Sequence, residues 1–306
     1  MSELAIEACD LSKTFRGGVA AVSRLDLAVP RGAVYGLIGR NGAGKTTLIR
    51  MLMALLRPTG GAARVLGREL WNAPERHRAR VTYVSQIHRL PGAMNLESLC
   101  GYLSRLYERW DAAYARGMAG RFELDWTRPV GAMSGGEQRK AAVLLAFAAR
   151  PEAVLLDEPA AGLDPIGRRA LIDEIVELIT AGDGCTVFFS THIISDLERV
   201  AEIVGIMDRG RMVAQAPLDD LRSRTKRVQV VFTGESPPEG FVIPGAIRSR
   251  VEGPVVTAVV NIVSETQFDD LHRRPDARVN IFPLGLEEIF VDLFGPGMAG
   301  ESGGLQ

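Results

Sequence analysis

The chain has 306 residues, 46% of them hydrophobic, and a formal net charge of −1 at pH 7. That length and composition provide for one large folded domain and a smaller one. The near-neutral balance excludes a general polyanion binder, which needs surplus basic charge facing phosphate backbones. Cys9, Cys100 and Cys185 are scattered without CxxC spacing, which suggests reduced thiols and no metal site.

No apolar run approaches the roughly 18 to 20 residues that span a bilayer. The first residues, Met-Ser-Glu-Leu-Ala-Ile-Glu, lack the basic-then-apolar layout of a secretory signal. The chain is therefore expected to be soluble, with any membrane part supplied by another polypeptide.

In chain order, residues 4–6 and 25–29 alternate like edge strands, interrupted by Gly17-Gly18 and bounded by Pro30. Residues 34–38 form a short apolar run that predicts a buried strand. After a glycine-rich turn, Leu48, Met51, Leu52 and Leu55 recur at helical spacing, and Arg57-Pro58 is expected to end that helix. Residues 81–84 predict a strand leading to Gln86, and the pattern over 91–150 is mostly helical. Apolar strands return at 154–156 and 186–189, with a helix over 168–180 between them. Nearly continuous apolar strands alternating with helices point to a mainly parallel sheet covered on both faces.

Composition shifts near Arg222-Ser223-Arg224-Thr225-Lys226-Arg227, with Pro237-Pro238 following. Beyond it, 228–232 and 255–263 predict strands, and 265–271 and 286–294 predict short helices. The expected organisation is a large domain over 1–225 with a helical lobe at about 88–150. A small α+β domain over 226–295 and a disordered tail over 296–306 complete it.

Two segments carry phosphate chemistry. Gly39, Arg40, Asn41, Gly42, Ala43, Gly44, Lys45 and Thr46 fit G-x-x-x-x-G-K-[ST], with Thr47 next, between a predicted strand and a predicted helix. Backbone N–H groups of such a loop turn inward around phosphate oxygens, and the helix start adds its positive dipole end. Only Lys13, Lys45, Lys140 and Lys226 are lysines among 36 basic residues, so a lysine at this position stands out. Lys45 would reach the β- and γ-phosphates and Thr46 would ligate Mg²⁺. Asp157 and Glu158 end an apolar strand, where one carboxylate can hold Mg²⁺ through water and the other can polarise an attacking water.

Met133-Ser134-Gly135-Gly136-Glu137-Gln138, with Val154-Leu155-Leu156-Asp157-Glu158-Pro159 about twenty residues on, is more restrictive than the phosphate loop. The ordered set resembles the nucleotide-binding subunit of an ATP-binding cassette (ABC) transporter over residues 1 to 225. The resemblance implies an α/β fold: a P-loop NTPase domain of the ABC type, with a mainly parallel core sheet, an antiparallel β subdomain and a helical lobe. It implies ATP and Mg²⁺ as ligands, the latter held by Thr46, Gln86 and Asp157. It implies catalytic roles for Glu158, for His192 as the switch histidine, and for Gln86 as the Q-loop residue. Phe15 would stack on adenine. Ser134, Gly135, Gly136 and Glu137 match the signature, and Asp164 in Ala161-Gly162-Leu163-Asp164 matches the D-loop.

The implied partners are a second cassette, identical or paired, and a separate integral membrane subunit at the cytoplasmic face; no nucleic acid is expected. Residues 86–99 and the helical lobe would contact that subunit. The C-terminal extension and Leu106-Tyr107-Glu108-Arg109-Trp110-Asp111 resemble the exporter-type branch associated with drug or antibiotic efflux. A soluble ABC-type ATPase of DNA repair, chromosome organisation or translation is the rival. It typically carries coiled-coil insertions, zinc-binding cysteine pairs or a duplicated cassette, none of which occurs in this sequence. A P-loop kinase is a third possibility, opposed by the signature, the Asp157-Glu158 pair and His192.

The signature departs from the family's usual Leu-Ser-Gly-Gly-Gln at Met133 and Glu137. Methionine conserves much of leucine's volume. Glu137 places a carboxylate where a neutral amide is common, and Ser134-x-x-Glu137 is also a capping-box pattern, a local role compatible with nucleotide binding. The basic clusters around Arg76-His77-Arg78 and over 222–227 are expected to be solvated faces.

Overall fold

The structure, a computed structural model, describes residues 3–87, 90–180, 184–261, 264 and 266–294. The expected tail over 296–306, together with His88 and Arg89, lies outside them.

Two long antiparallel strands come first: β1 (Leu4–Thr14) pairs with β2 (Ala20–Pro30), from Leu4 opposite Pro30 to Thr14 opposite Ala20. All six residues of β3 (Val34–Gly39) are buried, and its end turns directly into α1 (Lys45–Leu52). β4 (Gly60–Val65) pairs with the other side of β1, giving a three-stranded antiparallel sheet β2-β1-β4. The one-turn helix α2 (Glu75–Arg78) precedes β5 (Val81–Val84). A helical stretch follows: α3 (Leu96–Leu103), α4 (Ala112–Arg121), a 3₁₀ turn (Val130–Ala132) and α5 (Gly135–Ala148). Then come β6 (Ala153–Asp157), α6 (Pro165–Thr180), β7 (Thr186–Thr191), α7 (Ile194–Leu197), β8 (Ile203–Asp208) and β9 (Arg211–Pro217).

The central sheet has the order β5-β6-β7-β3-β8-β9. Its pairs from β5 to β8 are parallel, and β3, β6 and β7 are buried at every position, as strands covered on both faces must be. Register decides what meets at its carboxyl edge. Ile38 lies opposite Thr191, and Asp157 opposite Ser190. Gly39, Glu158 and His192 therefore leave the sheet side by side, where ligands of such sheets bind.

One continuous core joins both sheets through α1, with Ile6, Leu25, Leu48, Leu52, Leu155 and Phe188 among its buried members. The expected helix through Leu55 ends earlier, at Leu52. Ala54 adopts φ 55°, and the N–H groups of Leu55 and Leu56 return to Arg50 O at 2.8 and 3.1 Å, so Leu55 is carried out to solvent, 61% exposed. His77 also differs from the solvated face expected of its cluster. It is buried, with Nε2 3.0 Å from Val65 O, while Arg76 and Arg78 are exposed.

The chain divides into two compact units, Met1–Met212 and Val213–Gln306, a boundary thirteen residues ahead of the expected one after Thr225. The second unit contains α8 (Leu218–Arg224), β10 (Thr225–Phe232), β11 (Ala246–Glu252), β12 (Val255–Asn261), α9 (Asp269–His272), β13 (Ala277–Pro283) and α10 (Leu286–Phe294). Its sheet is antiparallel, ordered β11-β12-β10-β13. One cluster of buried side chains includes Val228, Val230, Phe232, Val256 and Phe268, and a smaller one joins Val259 to Leu284 and Ile289. Of the helix expected over 265–271, residue 265 lies outside the described residues and 266–268 form a turn followed by the short α9, because Phe268 sits at φ −113°, ψ 10° and starts the helix late.

Tyr35 on β3 is wholly buried and stacks on Phe188 of β7, with centroids 5.1 Å apart and rings 5° from parallel. Its hydroxyl fills the place of a side chain at Gly205 on β8, where a Cβ would lie 2.0 Å from Tyr35 Oη. Gly205→Ala therefore overpacks a site with no room to yield. It is expected to cost about 1–3 kcal/mol and to lower Tm by about 2–4 °C per kcal/mol. Thermal denaturation followed by circular dichroism checks this; an unchanged Tm would contradict the packing described.

Candidate functional site

The site begins at the end of β3. Gly44 stands at φ 103°, and a Cβ there would lie 2.3 Å from Ala21 O, so no other residue fits both the conformation and the approach. Gly44 leads straight into α1, whose first-turn N–H groups lack intrahelical acceptors and carry the positive end of the dipole. Arg40, Asn41, Gly42, Ala43, Gly44, Lys45, Thr46 and Thr47 line one cavity of about 260 Å³, together with Ala21, Gln86 and Glu158. The Lys45 ammonium is buried there. It donates to Gly39 O at 2.6 Å and Arg40 O at 3.4 Å, and it lies 3.3 Å from Glu158 Oε1.

The acidic pair ends β6. Asp157 Oδ1 accepts from Ser190 Oγ at 2.9 Å and Thr46 Oγ1 at 3.2 Å. Burial pushes the Asp157 carboxyl above the usual carboxylate range, opposed by those two hydrogen bonds and reinforced by the charge of Glu158. Asp157 Oδ2 is buried without a hydrogen-bond partner. A carboxylate oxygen so orphaned beside a threonine hydroxyl and a second carboxylate fits a hard divalent cation such as Mg²⁺.

Glu158 adopts φ 52°, rare for a residue with a side chain. Two hydrogen bonds from its N–H, to Ser190 O and Ser190 Oγ at 3.1 Å each, hold it there. Its Oε2 is in close contact with His192 Nδ1, so the loop after β7 reaches the acidic pair.

A second group of expected residues lies outside that cavity. Ser134 caps α5: its Oγ accepts from Glu137 N at 3.2 Å, and Glu137 Oε2 accepts from Ser134 N at 2.7 Å, completing the capping box. These hydrogen bonds with Ser134, and the nearby Arg128 charge, hold the Glu137 carboxyl below its ordinary range. The segment 161–164, expected to be the D-loop, packs alongside, since a Cβ on Gly136 would be 3.7 Å from Leu163 and 3.8 Å from Gly162 O. Asp164 Oδ1 accepts from Gly167 N at 2.7 Å, which caps α6 and lowers the Asp164 pKa. Phe15 is 43% exposed near the tip of the β1–β2 hairpin, with the Lys13 ammonium 5.5 Å from its ring centroid. It does not line the cavity either.

Motif reasoning missed three contributors. Ser190 holds both members of the acidic pair. Arg139 donates to Glu158 O at 2.5 Å and to Gln86 O at 2.9 Å, joining α5 to both loops. Arg128 pairs with Glu137 at 3.0 Å. Ser190 was detectable from its place beside the strand end; the two arginines are indistinguishable by type in so arginine-rich a sequence.

Comparison with known proteins agrees with this geometry. Residues 22–161 match the family model described as ABC transporter. The daunorubicin resistance ATP-binding protein DrrA3 of Streptomyces coeruleorubidus is 36% identical over 240 residues, 76% of this chain and 75% of that protein. DrrA2 of the same species is 31% identical over 316 residues, covering 100% of this chain and 92% of that protein. Among solved structures, an ATP-binding subunit of an ABC transporter superposes with a TM-score of 0.65 at 30% identity, over 72% of this chain and 92% of that one. A phosphate-cradling loop, a buried acidic pair and a capped Ser-Gly-Gly turn in one α/β fold, with relatives of that kind, lead to one conclusion: the chain belongs to the ABC transporter family, as an ATP-binding, ATP-hydrolysing subunit.

Proposed function

We propose that this protein powers an exporter: two cassettes close around two Mg-ATP and drive a separate integral membrane subunit from the cytoplasmic face. The observation that carries this reading is the division of the site. Lys45, Thr46, Asp157, Glu158 and His192 converge, whereas Ser134–Glu137 and Asp164 form a second group outside the cavity that the phosphate loop lines. A cassette whose signature turn does not line its own phosphate cavity calls for a second cassette, the same chain or a paired one, and an isologous two-fold arrangement satisfies both sites at once.

Each protomer's residues then have distinct tasks. The loop amides and Lys45 hold the β- and γ-phosphates. Thr46 and Asp157, with Gln86 at the cavity edge, would hold Mg²⁺, which when bound neutralises phosphate charge. Glu158 polarises the attacking water, and His192 keeps that carboxylate oriented while facing the γ-phosphate. Phe15 offers an aromatic face to the adenine. The partner's Ser-Gly-Gly turn completes the γ-phosphate shell, so ATP favours the closed dimer by its differential contacts and hydrolysis removes that preference.

Among the described residues no helix is long and apolar enough to cross a membrane. Ile87, Tyr102 and Leu106 are exposed apolar residues in the region expected to meet it. Export is favoured by the relatives' names, which include daunorubicin resistance and bacitracin transport proteins.

Replacing Lys45 with Ala removes the buried cation. It is expected to lower ATP turnover by at least ~10²-fold, the scale of losing one organised charge partner in a phosphoryl-transfer site; phosphate release assays measure it, and wild-type turnover would refute the loop's role. Glu158→Gln keeps the volume and loses the base. It is expected to bind Mg-ATP, turn over ~10²–10³-fold more slowly and elute as a dimer in size-exclusion chromatography with Mg-ATP. Monomer alone under those conditions counts against the two-cassette site.

A further inference from the structure

The carboxylate of Glu137 sits in a turn proposed to meet the phosphates of ATP on the opposite cassette, where a bare negative charge would repel them. Its surroundings compensate for that charge. Oε2 is tied to Ser134 N at 2.7 Å, and Oε1 accepts from Arg128 Nη1 at 3.0 Å. The same guanidinium uses Nη2 on Ala132 O, so one planar fork spans the carboxylate and the backbone just before the turn.

Arg128 is itself placed by a local device. Asp125 Oδ1 accepts from Thr127 N and Thr127 Oγ1 at 2.9 Å each and from Arg128 N at 3.3 Å, which fixes the chain entering the 3₁₀ turn. Lys140, the other cation close to Glu137, is directed to Phe122 O at 3.3 Å. Ser134 Oγ accepts from Glu137 N and its hydroxyl also bonds the Glu137 carboxylate, while the Gly135 and Gly136 amides have no intrahelical acceptor by position.

We propose that Arg128 is a positioning residue of the signature turn: it neutralises Glu137 and holds it folded back, so that the turn presents the Ser134 hydroxyl and backbone amides, not a carboxylate, to the opposite cassette's ATP. The inference rests on the two-cassette reading. It explains how this chain carries glutamate where the family commonly has glutamine: the pair Arg128–Glu137 acts as one neutral group. It also assigns the two residues a dependence on each other. The arginine matters because the carboxylate is there.

The test uses the full chain carrying Glu158→Gln, with ATP-dependent dimerisation followed by analytical ultracentrifugation against Mg-ATP concentration. Arg128→Ala is expected to raise the half-dimerising ATP concentration about tenfold, an effect equivalent to about 1.4 kcal/mol, and to do so less at high salt because the uncovered charge is screened. In a Glu137→Gln background the same Arg128→Ala change is expected to shift it less than about twofold, since no charge remains to cover. Arg128→Gln, which keeps a donor for Ala132 O, is expected to behave as Arg128→Ala does. An equal shift in both backgrounds, or rescue by Arg128→Gln, would show that Arg128 only braces the loop and would overturn the proposal. No shift from Arg128→Ala overturns it as well. If the Glu158→Gln parent stays monomeric at every ATP concentration, the two-cassette reading itself fails; a parent that dimerises while Arg128→Ala has no effect removes the proposal alone.

Discussion

Two consecutive carboxylates, Asp157 and Glu158, are buried at the carboxyl end of one strand, and most of the first unit's local geometry answers to that fact. Neither can leave water without donors or cations around it. Asp157 takes Ser190 and Thr46, and Glu158 takes Lys45 and His192. These four partners come from α1, the end of β7 and the loop beyond it. Parallel register is what lets them converge, since Asp157 lies opposite Ser190 and Ile38 opposite Thr191. The left-handed backbone of Glu158 follows from the same requirement: it turns the second carboxylate toward the Lys45 ammonium, and the Ser190 bonds hold it there.

Much of this was legible in the sequence because the chemistry tolerates few residue types. Strands β3, β6 and β7 each contain a short apolar run, and the loop, acidic pair and Ser-Gly-Gly turn keep a fixed order. Some of the parts that were not legible lack a periodic or compositional mark. β4 is Gly-Gly-Ala-Ala-Arg-Val and β11 is Ala-Ile-Arg-Ser-Arg-Val-Glu; each reads as turn or surface until a neighbouring strand is known. The overextended first helix failed for a related reason: Leu55 continues the 3.6-residue pattern, but periodicity carries no information about the left-handed step at Ala54. Residues acting through backbone carbonyls, such as Arg139 on Glu158 O and Gln86 O, are equally silent, because their partners have no side-chain signature.

Helix α5 links the two groups of site residues. Its amino end is the capped Ser-Gly-Gly turn, and Arg139, one turn further, donates to the backbone carbonyls of Glu158 and Gln86. From Ala141 onward nearly every residue is buried, with Leu144 and Phe147 at 0% exposure, so the far half is anchored in the interior while the near half faces outward. The helix is thus anchored in the interior at one end and hydrogen-bonded to the backbone of Glu158 and Gln86 one turn from the other. In the two-cassette arrangement proposed above, that turn would meet the opposite cassette's ATP. On that proposal one helix would carry both the turn that contacts nucleotide at one site and Arg139, which bonds the backbone of Glu158 and Gln86 beside the other.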